Sequence, residues 1–287
     1  MVKLAEQDVL TTEVLTWQGL HLFHFWGSSC SQKLRIYLSL KGAAWTGHEV
    51  NLPKQENFST WYLGINPRGL VPCLVDDGAV HIESNDILLH LEDRLGGPPL
   101  IPDRARIAQL LRHEDDLHLD LRTITFRYTR LPGPVGKSAE GLDKYRAGGS
   151  GTVGGAEDGA KAREIAFWQS AAEQGITDAA VRAAAGRFRA ALNGLEERLQ
   201  GSQYLLGHAL SLLDIAWYVY ALRLRRCGYP LAQLHPRVSG WLDKLHAEPG
   251  FADQTVLLPE LAKIAAESQR LQHERGTALP QLMGVEG

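Results

Sequence analysis

The dipeptide Asp77-Gly78, set between the apolar runs "PCLV" and "AVHI", constrains this chain more than any other feature. A two-residue Asp-Gly connection favours the primed turn that joins antiparallel strands, so residues 72–84 read as a hairpin. Upstream, "LHLFHFW" (20–26) alternates and is rich in aromatics, as a strand is. Ser29 to Lys41 repeats apolar residues at mostly helical spacing and stops at Gly42. "WTGHEVNL" (45–52) reads as a second strand, "ENFSTWYLGIN" (56–66) as a short helix closed by Pro67, and "NDILLHLEDRL" as a third helix after the hairpin. The order βαβ-α-ββα fits a small sheet of mixed strand direction, because only the hairpin forces antiparallel neighbours.

"GGPPLIPD" (96–103) breaks this pattern, and the chain turns helical after it, so a domain boundary is expected near residue 98. Arg104 to about Arg130 reads as one long helix. Residues 131–160 hold nine glycines and little apolar surface, and read as a mobile loop or lid. From Lys161 the helices resume, most clearly in "AAVRAAAGRFRAALNGLEERL" and "SLLDIAWYVYALRL". The expected division is an N-terminal extension (1–19), an α/β domain (20–97) and an all-helical domain (98–287) carrying the glycine-rich insertion 131–160. Within "GHALSLLDIAW" (207–217), Ser211 at N-cap and Asp214 at N3 make a capping box, with Leu210 against Ile215 as a staple. That is a folding role.

Charge and cysteine content exclude several function classes. A net charge of -3 offers no long-range attraction for nucleic acid or an anionic membrane, so the partner is a small molecule or another subunit. Three cysteines, Cys30, Cys73 and Cys227, cannot all pair with one another and lie far apart, which argues against a disulfide framework or a zinc cluster and for reduced thiols in a cytoplasmic protein. The eleven histidines show no metal-ligand spacing. The N-terminus lacks the apolar run of a secretory signal, and no stretch approaches the ~20 apolar residues of a membrane helix. "GPVGKS" (133–138) imitates a phosphate-binding loop but has Leu131 where that loop needs glycine and no strand before it. Trp26, Trp61 and Trp217 occupy apolar-patterned positions and read as core.

Three places remain for chemistry. "GSSCS" (27–31) lies at a helix entrance, where free N–H groups and the positive end of the dipole stabilise an anion by ~0.3–2 kcal/mol. A thiol there is shifted toward thiolate, the nucleophilic form. Position alone does not choose between Cys30 attacking by itself, Ser28 or Ser29 activating another molecule's thiol, and a serine N-cap with Cys30 packing. Val71-Pro72 lies between a helix end and a strand start, a place for a strand's first residue or for a cis turn that exposes its neighbour's backbone. "ESND" (83–86) opens a helix, so Ser84 and the N–H groups after it either cap that helix or bind a carboxylate.

Together, the strand-helix-strand opening, the X-Pro before the third strand and the Glu-Ser at the third helix resemble the glutathione transferase family. The resemblance spans roughly 20–260 and implies a thioredoxin-like N-terminal domain, an all-helical C-terminal domain, glutathione as cosubstrate and a homodimer with Cys73 and the third helix near its interface. It implicates Val71, before Pro72, in backbone pairing with the tripeptide's cysteine, and Glu83 and Ser84 in holding its γ-glutamyl end. Lys54 and Gln55 are implied candidates for its glycyl carboxylate, or two solvated loop residues. "SSCSQKLRIYLSLKG" is most similar to the zeta class, which implies that Ser28 activates the glutathione thiolate with Ser29 and Cys30 assisting. Two departures bear on activity. Gly69-Leu70 stands where zeta proteins have Lys-Gln, which speaks against maleylacetoacetate isomerisation. The segment 131–175 is similar instead to longer relatives: reductive dehalogenases of chlorinated hydroquinones, β-etherases of lignin-derived aryl ethers, and ganglioside-induced differentiation-associated proteins. The implied reaction is thiolate attack on an apolar, aromatic electrophile. The alternatives are covalent use of Cys30, as in dehalogenases and thiol transferases, and a non-catalytic glutathione-binding adaptor. Arg122, Arg127 and Arg130 do not share one face; one or two of them reach an electrophile pocket, or all form a solvated basic face.

Overall fold

The computed structural model describes residues 2–131 and 136–285. Among them, β1 (Val2–Lys3), β2 (Leu20–His24), β3 (Thr46–Glu49), β4 (Cys73–Asp76) and β5 (Ala79–Ile82) form one sheet in the order β1-β5-β4-β2-β3. Only β2 and β3 run parallel; the other neighbours are antiparallel. Between the strands lie α1 (Ser29–Leu40), α2 (Thr60–Ile65) and α3 (Ser84–Arg94). The chain continues through α4 (Arg104–Asp115), α5 (His118–Tyr128), α6 (Ala139–Ala147), the hairpin β6 (Thr152–Val153) and β7 (Ala156–Glu157), and α7 (Ala160–Gln174). It ends in α8 (Asp178–Arg198), α9 (Leu212–Arg226), α10 (Leu231–Leu234), α11 (Pro236–His246), α12 (Pro249–Ala252), α13 (Pro259–Glu274) and α14 (Leu279–Leu282). The architecture is an α/β sheet unit and an all-α unit.

Local chemistry accounts for the elements that position the site. Asp77 (φ 46°) and Gly78 (φ 80°) both take the positive φ that a primed hairpin turn needs. Helix α1 begins at Ser28, whose Oγ accepts the Ser31 N–H at 3.3 Å. It ends at Gly42 (φ 59°), with Gly42 N–H donating to the Ser39 carbonyl and Ala43 N–H to the Leu38 carbonyl. Those paired bonds satisfy two of the last helical carbonyls.

Two compact units divide the chain: Met1–Gly97 with Val135–Glu173, and Pro98–Pro134 with Gln174–Gly287. This changes the expected division in two ways. Residues 1–19 are not an appendage to the α/β domain. β1 adds an edge strand against β5, and Leu4, Val9 and Val14 sit in the same core as Phe23, Tyr62, Val75 and Ile82. Those residues come from turns and short 3-10 segments without helix or strand periodicity, so no pattern announces them.

The glycine-rich insertion is the second change. Residues 132–135, which include Gly133 to Val135 of "GPVGKS", lie outside the described residues. Residues 136–160 belong to the sheet-bearing unit rather than to the helical one. Leu142 and Tyr145 of α6 are buried, and the Tyr145 ring stacks on Phe58 with centroids 4.2 Å apart. The hairpin β6–β7 is tied to the N-terminal segment by Asp8, whose buried carboxylate accepts the Thr152 hydroxyl at 2.5 Å and the Gly155 N–H at 3.2 Å. Glycine content hid an apolar side made of a few large residues.

In the helical unit, α9 is buried along most of its length. Asp214 at its entrance accepts the Ser211 N–H at 3.0 Å and the Ser211 hydroxyl at 2.6 Å, and it also holds the Leu205 N–H and the Trp241 indole. The helix expected from Arg104 to Arg130 is interrupted where Leu117 leaves the helical geometry (φ -89°, ψ 3°) between α4 and α5. Trp217 is core, but Trp61 is 44% exposed and donates its indole N–H to Glu13, which corrects its reading as core. Arg127 bonds the Ile176 carbonyl and Asp178, and the Arg130 guanidinium lies over Phe126, so neither is simply solvated. Cys73, expected near a subunit interface, is fully buried in the sheet, and burial raises its thiol pKa strongly.

Candidate functional site

Strand register brings three of the sequence candidates to one end of the sheet. Phe23 pairs with Cys73 and Cys73 pairs with Ile82, so one row crosses β2, β4 and β5. β2 ends one residue beyond that row and leads to Ser28, β4 begins on it after Pro72, and β5 ends on it before Glu83. Three chain segments, one of them more than 40 residues before the other two, thus converge because antiparallel pairing reverses β4 between its neighbours.

At the first of these points the loop Phe25–Gly27 is held from beneath by α1. Arg35 donates to the Phe25 carbonyl at 3.3 Å and to the Trp26 carbonyl at 2.9 Å, and Ser31 Oγ accepts the Phe25 N–H at 3.3 Å. Ser31 and Arg35 are both buried, an unusual load of polar side chains for a helix face. Ser28 uses its oxygen as an acceptor in capping Ser31. A hydroxyl also carries one proton to donate, so capping and donation to a bound thiolate are compatible roles for Ser28. Ser29 is buried and Cys30 half-buried in the first turn, where the helix dipole is positive. Beneath the loop, burial together with the nearby Arg35 charge lowers the pKa of His24 to about 4.

The second point is the Val71-Pro72 peptide, which is cis. The chain leading to it is pinned by donors from buried residues. Asn57 Nδ2 bonds the Gly69 carbonyl at 2.8 Å, while Tyr62 Oη and Asn66 Nδ2 bond the Leu70 carbonyl at 2.6 and 2.8 Å. Sequence reasoning did not single out Asn57, Tyr62 or Asn66, because their value lies in reaching a carbonyl several residues away.

At the third point Glu83, not Ser84, is the N-cap of α3, which corrects the reading of Ser84 as a cap. Glu83 has φ 68°, rare for a non-glycine residue and a feature that clusters at ligand sites. Ser84 opens the first turn and is 5% exposed. The Glu83 carboxylate is paired with Arg68 at 2.5 Å, and Arg68 forms a two-pronged bond to Asp158 at 2.9 and 2.8 Å. Burial works to raise the Asp158 carboxyl, but the Arg68 guanidinium, with the Ala160 N–H and the Arg163 charge, holds it below its ordinary range. Neither Arg68 nor Asp158 carried a sequence signal.

Lys54 and Gln55 follow β3, whose end lies beside that of β2. Lys54 is exposed, and its backbone N–H donates to Asn51 Oδ1 at 3.0 Å. Gln55 (φ 59°) turns its amide to Ser138, the N-cap of α6, at 3.3 Å. Among the described residues, no group of three or more His, Cys, Asp or Glu side chains is placed to hold a metal ion, and no helix is long and apolar enough to cross a membrane.

Comparison with known proteins adds a family to this geometry. The model of the glutathione S-transferase N-terminal domain matches residues 27–94, and that of the glutathione S-transferase C-terminal domain matches residues 178–244. Glutathione S-transferase Z1 of Arabidopsis thaliana is 41% identical over 85 residues, which cover 30% of this chain and only 38% of that protein. The β-etherase LigF of Sphingobium sp. strain SYK-6 superposes with a TM-score of 0.66 at 24% identity, covering 83% of this chain and 98% of LigF. A glutathione transferase family member from Pseudomonas fluorescens, solved with two glutathione bound, superposes at 0.58 with 18% identity, covering 86% and 98%.

Proposed function

Because the chain belongs to the glutathione S-transferase family through both of its domains, we propose that its sheet-bearing unit binds glutathione and delivers it as a thiolate to an apolar, aromatic electrophile. The observation that carries this reading is the convergence of Ser28, Val71-Pro72 and Glu83-Ser84 at one end of the sheet. The Ser28 proton donates to the thiolate, the first turn of α1 with Ser29 and Cys30 adds its dipole, and the Val71 backbone pairs with the cysteinyl residue. Glu83 and Ser84 take the γ-glutamyl ammonium and carboxylate, and exposed Lys54 takes the glycyl carboxylate. Gln55 has a smaller part, since Ser138 engages its amide. Once a thiolate is aimed at carbon, substitution and ether cleavage differ only in the acceptor. The resemblance of residues 163–176 to the β-etherase type makes an aryl ether the acceptor to try first. Three unbridged cysteines suit a reducing cytoplasmic setting, and the family supports a homodimer.

The test is calorimetric titration with reduced glutathione, alongside the thiolate absorbance of the complex. Ser84→Ala should weaken binding roughly three- to tenfold. Ser28→Ala should raise the bound thiol pKa by about one unit, leaving roughly tenfold less thiolate at neutral pH. Absence of saturable binding in the wild type would overturn this reading, whereas binding without thiolate formation would replace it with the non-catalytic glutathione-binding adaptor. A second reading, supported by half-buried Cys30 in the first turn of α1, has the Cys30 thiolate attack the glutathionyl sulfur of a mixed-disulfide substrate, so that the substrate leaves as a thiol and Cys30 is left disulfide-bonded to glutathione. Cys30→Ser would then abolish thiol-disulfide exchange while leaving simple conjugation intact.

A further inference from the structure

Arg68 is shared between two carboxylates that come from different parts of the sheet-bearing unit. Glu83 is the N-cap of α3, and Asp158 lies in the inserted segment just before α7. The three side chains are partly shielded, with Arg68 and Asp158 each 17% exposed and Glu83 35% exposed. Glu83 meets Arg68 through Oε1. Asp158 is itself fixed: its N–H donates to the Gly151 carbonyl at 3.1 Å, and its carboxylate accepts the Ala160 N–H. The main chain of Arg68 is anchored as well, by the Tyr145 hydroxyl of α6 on its carbonyl.

The charges decide what this arrangement does. A Glu83–Arg68 pair alone is neutral and offers an incoming ammonium little attraction. Arg68, Glu83 and Asp158 sum to one net negative charge, with Lys161 and Arg163 in the field of Asp158 beyond them, and with Asp158 occupying two of the guanidinium donors Arg68 is oriented so that Glu83 stays put.

We propose that Asp158 is a positioning residue for the γ-glutamyl subsite, through which the inserted segment makes the site selective for ligands that carry an α-ammonium group. This rests on the glutathione reading above. It adds that the selectivity comes from the insertion and not from the α/β core alone. A ligand without the amino group gains nothing from Asp158, whereas one with it loses affinity when Asp158 is neutralised.

The experiment compares, by calorimetry, glutathione with its analogue lacking the α-amino group, on the wild type, Asp158→Asn and Asp158→Glu. Asp158→Asn should weaken glutathione roughly three- to tenfold while leaving the desamino analogue within about twofold. Asp158→Glu, which keeps the charge, should retain most of the discrimination. Equal weakening of both ligands would mean that Asp158 only holds the insertion in place, and no change in either would mean that Glu83 acts without it; both overturn the proposal. If Asp158→Asn does not fold, Asp158→Ser is read in the same way. Failure of the wild type to bind glutathione at all would overturn the glutathione reading and this one together, whereas binding without the differential effect would overturn this one alone.

Discussion

Individual residues here do two things at once, and two shielded histidines, His24 half-buried and His81 buried, illustrate the consequence for pH. His24 ends β2 beneath the Ser28 loop, and His81 lies buried in β5 with its ring stacked on His90 at 3.8 Å. Burial, with Arg35 near His24 and His90 near His81, lowers both to about 4 from an ordinary value of 6.5. Between those values the unfolded chain takes up protons that the native state refuses, so stability falls as pH drops through that window and is fully present above it. Urea midpoints should therefore decline between about pH 7 and about pH 5, before the carboxylates protonate. His81→Asn should flatten the slope, and an unchanged slope in that variant would remove His81 from the account. Ser28 shows the same economy: its lone pair caps α1, and a hydroxyl that accepts can still donate, so the two roles that the sequence left open are compatible.

At the scale of elements, the inserted α6 is fixed by contacts that its sequence does not advertise. The segment 52–70 receives it: Phe58 stacks on Tyr145, the Arg68 carbonyl accepts the Tyr145 hydroxyl, and Lys137, just before α6, bonds the Leu52 carbonyl at 2.8 Å. Gly69 stands at the closest approach, with φ 59°, and a Cβ there would lie 2.8 Å from the Tyr145 ring and 2.9 Å from Leu63. Gly69→Ala combines that overlap with an unfavourable backbone angle and should destabilise the sheet-bearing unit by about 1–3 kcal/mol. Chemical denaturation measures it, and a neutral result would show that α6 yields easily. The elements that the sequence did disclose, α1 and the β4–β5 hairpin, are those whose stops and turns are local: Ser28, Gly42 and Asp77-Gly78 act within a few residues of themselves.

For the whole molecule, the division into two units follows contact and not chain order, since Val135–Glu173 belongs with Met1–Gly97. Replacing residues 136–172 by a short linker should therefore speed amide exchange in the segment 51–70, while α9 in the other unit keeps its protection. Unchanged exchange in 51–70 would mean that the insertion merely lies over that segment. By itself the sequence determined strands β2 to β5, the caps at Ser28 and Ser211, the hairpin turn and the candidates Ser28, Pro72 and Glu83-Ser84, because alternation, capping and turn chemistry are properties of neighbouring residues. The resemblance extended those to a family and a ligand. Tertiary structure decided what holds the candidates in place: Arg35 under the loop, Asn57, Tyr62 and Asn66 before the cis peptide, and Asp158 reaching Arg68 across 90 residues of chain. It also moved the first 19 residues and the insertion into the sheet-bearing unit. A hydrogen bond or ion pair between distant segments leaves no periodicity in either of them, and so it becomes visible only once the chain has folded.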